Sequence, residues 1–223
     1  MRNLRILAAL GLLTTAAAAN AGVSSTWTLT SDYDYRGITQ TDEDPALQAS
    51  LDFAADNGWY VGAWASNVDF GTDVDYEVDL YTGFTGETEG GLGWDVGLVY
   101  YAYPDDSDLD YPEIYGSLSY QWFKGKLWYS NDFGATSESS FYLDTSATVP
   151  LPANFSLLAH IGYSDGDAID VLYGDSYMDY SLGVGYEIGN FSLSLKYVDT
   201  DIEDAETDRV IFTVATTFPW GKD

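Results

Sequence analysis

From residue 25 onward the chain alternates apolar and polar positions in stretches of about ten residues, divided by breaks that are short and long in turn. In residues 46–55, Leu47, Ala49, Leu51 and Phe53 alternate with Gln48, Ser50 and Asp52. In residues 191–198, Phe191, Leu193, Leu195 and Tyr197 alternate with Ser192, Ser194 and Lys196. Neighbouring strand residues point to opposite faces, so each stretch reads as a strand with one apolar and one polar face. The pattern predicts twelve strands, at residues 25–36, 46–55, 59–68, 76–86, 92–103, 112–122, 126–132, 140–149, 155–163, 177–187, 191–198 and 209–218. The short breaks are Asp56-Asn57-Gly58, Thr88-Glu89-Gly90-Gly91, Phe123-Lys124-Gly125, Pro152-Ala153-Asn154 and Ile188-Gly189-Asn190. The long breaks are acidic, as in Asp105-Asp106-Ser107-Asp108-Leu109-Asp110. Short turns at one end and long loops at the other are the plan of an all-β transmembrane antiparallel up-and-down barrel. A secreted sandwich, its apolar faces meeting in a core, would alternate in the same way.

The aromatic positions favour the barrel. On the apolar faces Trp27, Phe53, Phe84, Trp94, Tyr120, Phe155, Tyr186, Phe191 and Phe218 fall near the turn end. Tyr33, Tyr35, Tyr100, Tyr163, Tyr180 and Tyr197 fall near the loop end, with aliphatic residues between the two sets. Two girdles of rings around an aliphatic band suit the two interfaces of a bilayer. Residues 155 to 163 extend ~26 Å at about 3.3 Å per residue, or ~20 Å when tilted by ~40°, close to the ~25 Å apolar band of such barrels. In lipid every backbone N–H and C=O must be paired, so the sheet has to close on itself.

The first residues read as a secretory signal. Arg2 and Arg5 precede an apolar run from residue 6 to 19 that is too short to span a bilayer, and Ala19-Asn20-Ala21 forms a cleavage site before Gly22. An N-terminal anchor helix is the alternative. The expected organisation is a signal peptide over residues 1–21 and one barrel domain over residues 22–223. The expected location is the bacterial outer membrane, with both termini in the periplasm.

Charge narrows the function. The chain carries 36 acidic against 8 basic side chains, a formal net charge of −28, and loss of Arg2 and Arg5 with the signal takes this to −30. Nucleic acid is excluded as a partner, because binding it needs a cationic surface. Lipid, lipopolysaccharide and the barrel-insertion machinery are the expected partners; nothing in the sequence marks a subunit interface. There is no cysteine, hence no disulfide, thiolate metal site or cysteine nucleophile.

Alternation also assigns a lumenal set. Asp32, Asp34, Asp52, Glu77, Asp79, Asp95, Glu113, Asp144, Asp179 and Glu187 face inward, against Arg36, Lys126, Lys196 and Arg209. Carboxylates lining a pore concentrate cations and repel anions, so passive diffusion of small solutes with a cation bias is the leading expectation. The alternative is a non-conducting surface protein whose acidic loops bind a partner or divalent ions. A twelve-strand barrel lies between the filled eight-strand type and the water-filled sixteen-strand type. Tyr81, Tyr101, Tyr103, Tyr115 and Tyr142 also face inward and are bulky enough to fill it. Asp165, Asp167 and Asp170, close together in one loop, are candidate oxygen ligands for Ca²⁺, although the spacing lacks the full EF-hand pattern. Loosely held Ca²⁺ or Mg²⁺ at the acidic loops is the broader expectation, and no other cofactor is expected.

Catalysis is not expected. The one histidine, His160, shares an inward face with Ser156, Leu158 and Gly162. No G-x-S-x-G elbow is present, and a metalloenzyme would need further histidine or cysteine ligands.

The stretch Ser31-Asp32-Tyr33-Asp34-Tyr35-Arg36-Gly37-Ile38-Thr39-Gln40-Thr41-Asp42, followed by Asp44-Pro45-Ala46-Leu47-Gln48, resembles the opening of the TorF family of porins, proteobacterial proteins also grouped as a family of unknown function. Further similar stretches are Gly62-Ala63-Trp64-Ala65-Ser66-Asn67-Val68, Tyr76-Glu77-Val78-Asp79-Leu80-Tyr81, Tyr100-Tyr101-Ala102-Tyr103-Pro104 and Tyr197-Val198-Asp199-Thr200-Asp201. The resemblance runs across nearly the whole exported chain and implies an outer-membrane protein of Gram-negative bacteria. It supplies no catalytic or ligand residues.

Overall fold

The computed structural model describes residues 22–219; the expected signal peptide and the last four residues lie outside them. Twelve antiparallel strands form a closed barrel: β1 (Gly22–Thr30), β4 (Ala46–Ala54), β5 (Trp59–Asn67), β6 (Tyr76–Glu87), β7 (Gly93–Ala102), β8 (Tyr111–Tyr120), β9 (Phe123–Ser130), β10 (Ser140–Pro150), β11 (Phe155–Asp165), β12 (Tyr177–Ile188), β13 (Phe191–Thr200) and β14 (Arg209–Phe218). Two further strands, β2 (Asp34–Tyr35) and β3 (Ile38–Thr39), pair only with each other. Neighbouring wall strands pair in chain order, and β1 pairs with both β4 and β14, which closes the cylinder. Both described ends lie at the short-turn end, where Gly22 pairs with Ala54 and Ser25 with Phe218.

Burial is inverted relative to a soluble protein. On β8, Glu113 is 1% exposed and the next residue, Ile114, is 55% exposed. On β6, Glu77, Asp79 and Tyr81 are buried while Tyr76, Leu80 and Phe84 are exposed. Such a continuous apolar exterior requires lipid as its solvent. The exposed rings Trp27, Phe84, Trp94, Tyr120 and Phe191, and at the other end Tyr100, Tyr180 and Tyr197, occupy the expected girdles.

Two local expectations are corrected. The β8–β9 turn is at Gln121 and Trp122 rather than at residues 123–125. Gln121 takes the left-handed conformation (φ 54°), and Lys124 becomes a strand residue level with Ser119 and Ser146. The first strand stops at Thr30 instead of residue 36, and residues 31–45 turn inward. Tyr33 is therefore buried and Tyr35 half-buried inside the barrel, not placed in the outer girdle.

The inner wall contains a glycine–tyrosine device. One register row runs Tyr60, Gly83, Gly97, Tyr115 across β5 to β8. The two tyrosines lie along the wall over the two glycines, and their hydroxyls hydrogen-bond to each other. Tyr81 covers Gly62 in the same way. A ring laid over a strand glycine shields backbone that would otherwise be bare. A Cβ on Gly83 would overlap the Tyr60 hydroxyl and come within 2.5 Å of the Val96 carbonyl. Gly83→Val is expected to lower barrel stability by about 1–3 kcal/mol, the usual scale of overpacking, read from the urea midpoint in detergent. Gly116→Ala, whose Cβ would meet only Val96 Cγ1 at 3.9 Å, is expected to leave the midpoint unchanged.

Candidate functional site

The lumen is the concave, chemically rich part of this molecule, and an in-folded hairpin dominates it. Strands β2 and β3 are joined by Arg36 and Gly37, both with positive φ (53° and 82°). A two-residue hairpin loop with φ > 0 at both positions favours Asn or Gly, so Arg at the first position is unfavourable for the backbone. Interactions of its side chain offset that cost. Arg36 Nη2 donates to Glu113 Oε2 at 2.6 Å, and both side chains are buried. Its Cζ lies 4.5 Å from the Tyr142 ring centroid, 4.7 Å from Tyr35, 5.0 Å from Phe133 and 5.8 Å from Trp128. Burial opposes the Arg36 charge, but the negative field of Glu113 outweighs it and holds the guanidinium firmly protonated.

Arg209 of β14 clamps the other side of the hairpin. It donates from Nε to Asp32 Oδ2 (2.7 Å), and from Nη2 to Asp34 Oδ1 (2.5 Å) and the Gly37 carbonyl (3.1 Å). The hairpin also reaches β6 through Tyr33 Oη and Glu77 (3.3 Å). It reaches β7 and β8 through the Tyr35 hydroxyl beside Tyr101, Tyr111 and Glu113, and β12 through Tyr177 Oη, which donates to the Arg36 carbonyl (3.2 Å). The segment thus bridges the lumen from one wall to the opposite wall near the loop end. Burial, reinforced by Glu77 and Asp79, holds the Tyr33 phenol well above its ordinary pKa, so it stays a neutral donor.

The other predicted lumenal residues separate into groups. Asp52 accepts from Ser50 (2.6 Å) and Tyr81, and Asp95 accepts from Tyr60 (2.7 Å). Glu77 and Asp79 are buried neighbours on one face of β6, and Asp79 Oδ1 has no hydrogen-bond partner. His160 bridges Asp144 (Nδ1, 3.1 Å) and Asp179 (Nε2, 2.6 Å), with Tyr142 Oη also on Asp179 (3.1 Å). Both ring nitrogens are thereby engaged with carboxylates. Gly162 lies between Asp144 and Asp179 in the register and leaves space for Tyr142 and Asp179. Lys126 is buried with Nζ 3.4 Å from the Tyr115 centroid and 3.8 Å from that of Trp128. Lys196 is half-buried on β13, and Glu187 is exposed at the turn-side rim, where it accepts from Ser192 (2.9 Å). The expected inward tyrosines 81, 101, 103, 115 and 142 are all buried. Sequence reading missed Tyr60, Tyr111 and Lys124 as inward residues, and Tyr33 and Tyr35 as parts of a plug.

The candidate calcium ligands do not converge. Asp165 ends β11 and accepts from the Gly166 N–H and Tyr163 Oη, whereas Asp167 and Asp170 lie on a short helix, α1 (Asp167–Tyr173). Among the described residues no three acidic or imidazole groups are arranged to hold a metal ion.

Solved structures with this architecture are outer-membrane channels. The KdgM porin matches with a TM-score of 0.56 at 7% identity, over 89% of this chain and 99% of that one. The NanC porin matches with a TM-score of 0.55 at 10% identity, over 88% and 98%. The COG4313 outer membrane channel from Pseudomonas putida F1 matches with a TM-score of 0.54 at 10% identity, over 91% and 97%. At such identities the likeness is one of fold: a closed twelve-strand barrel of the outer-membrane porin type. No curated protein matches the sequence. The profile of Gcw_chp, described as a bacterial protein of unknown function, matches residues 14–219, and the chain belongs to that family.

Proposed function

We propose that this protein is an outer-membrane channel for small solutes that favours cations, with its termini in the periplasm and its long acidic loops outside. The observation that carries this reading is the imbalance of charge within the lumen. Arg36 and Arg209 are committed to Glu113, Asp32 and Asp34, whereas the direct partners of Asp52 and Asp95 are hydroxyls. A low-dielectric wall focuses the remaining negative field along the axis, which favours cations over anions. The TorF-like motif at residues 31–48, which includes the in-folded hairpin, supports assignment to a porin family. Loosely held Ca²⁺ or Mg²⁺ would screen the acidic loops from anionic lipopolysaccharide. Phe218 at the end of β14 supplies an aromatic signal for the insertion machinery.

The test is the reversal potential of purified protein in a planar bilayer under a KCl gradient. The expected sign is that of K⁺ moving down its gradient, and Asp52→Asn with Asp95→Asn is expected to bring the permeability ratio toward unity. Anion preference would overturn the reading. A second reading, a closed barrel acting through its loops, is favoured by one feature, the hairpin across the lumen; conductance of the intact wild-type protein separates the two.

A further inference from the structure

We propose that the chamber around Arg36 is a binding site for guanidinium-bearing solutes, with Arg36 as its built-in occupant. This deepens the channel reading by naming a solute class, and rests on it only for how the solute arrives. The chamber has the two elements such a cation needs. Glu113 supplies a dry carboxylate, and Tyr142, Phe133 and Trp128 supply ring faces.

The fit of Arg36 itself is incomplete. Its Nη1 and Glu113 Oε1 are both buried and both lack a hydrogen-bond partner. The pair is thus held by a single bond, where guanidinium and carboxylate can form two parallel ones. Arg36 is tethered to a hairpin turn whose backbone is in the left-handed region, and this restricts how its fork can be aimed. A free alkylguanidinium has no such tether. It can turn its fork onto both Glu113 oxygens and so pair the orphaned Oε1. A compact ammonium or Na⁺ offers no planar fork and lacks this advantage.

The experiment uses the full-length Arg36→Ala protein in detergent, with methylguanidinium as the probe and Na⁺ at equal ionic strength as the control. Tryptophan emission is the readout, since Trp128 lines the chamber. The expected result is a saturable change with methylguanidinium and none with Na⁺. Wild type is expected to half-saturate at about tenfold or more higher concentration, because apparent affinity scales with the fraction of open sites. Adding Glu113→Gln to Arg36→Ala is expected to abolish the response. Wild-type protein gives an independent measurement. A solute that displaces Arg36 loosens the hairpin, so methylguanidinium should accelerate cleavage after Tyr35 by chymotrypsin, whose pocket takes aromatic side chains and not guanidinium, while Na⁺ should not. No saturable response together with no accelerated cleavage overturns the proposal, as does an equal effect of Na⁺. Neither measurement involves conduction: a barrel that conducts without binding removes this inference alone, and one that binds without conducting removes the channel reading alone.

Discussion

Replacing residues 34–39 by two glycines is expected to raise the single-channel conductance several-fold without disturbing the barrel. The flanking geometry allows it: Gln40 N–H donates to the Tyr33 carbonyl at 2.7 Å, so the chain returns to its starting point and a short turn can close it. The wall should persist because β2 and β3 pair only with each other, while β1 keeps its partners β4 and β14. What is lost is the structure that crosses the lumen: Tyr35, the Arg36 guanidinium and the Asp34 contact to Arg209. In a barrel of intermediate size, a two-stranded segment at the loop end occupies much of the free cross-section. Glu113 loses its ion-pair partner but gains water, which removes the penalty a dry carboxylate would otherwise carry. Conductance traces of the two proteins at the same salt concentration decide the matter. Equal, near-zero conductance in both would mean that the wall tyrosines already close the cylinder, and the loop-binding reading would replace the channel.

Arg209→Ala is expected to release the hairpin while the wall stays intact. The side chain makes four hydrogen bonds, to Asp32, Asp34, Gly37 and Thr207. Its removal takes the ion-pairing cation from both Asp32 and Asp34, and Lys196 is the positive charge that remains near Asp34. Breaking a buried pair from one side costs about 3–5 kcal/mol, which shifts the docking equilibrium by roughly two to four orders of magnitude. The wall is held by strand pairing along its whole circumference, so the cheaper response is for the hairpin to leave. Trypsin reads this directly, because docked Arg36 is buried and undocked Arg36 is a cleavage site. The variant should yield a new fragment beginning at Gly37, and wild type should resist at that bond. Arg209→Lys should fall between them, since it keeps the charge but loses the fork. Equal cleavage of wild type and Arg209→Ala would mean that the hairpin is not docked by this clamp.

The wall could be read from sequence because its cause is local and periodic. Leu47, Leu51 and Phe53 face lipid simply because they alternate with Gln48, Ser50 and Asp52. The hairpin could not be read in this way. Asp32, Tyr33, Asp34 and Tyr35 alternate as a strand does, and local pattern gives no reason to end β1 at Thr30. The decision is made by partners far along the chain: Glu113, Tyr177 and Arg209. The only local sign was Gly37 after Arg36, a glycine with φ 82° whose added Cβ would lie 2.7 Å from Asp179 Cβ. The turn at Gln121 was missed for the opposite reason. It contains neither Gly nor Asn, and nearby Gly125 supplied a false signal. Charge chemistry was legible as residue type and face, but which carboxylates are paired depends on register across several strands, as in the Asp144, His160 and Asp179 bridge.

Arg209 stands on β14 and the hairpin it clamps follows β1, so this latch spans the β1–β14 pairing that closes the cylinder. Until β1 and β14 pair, the sheet has both an open seam and an unlatched hairpin. Sealing the seam delivers the latch in the same movement. Assembly therefore needs no separate step to shut the finished cylinder, and a leaky intermediate lasts only as long as the seam does.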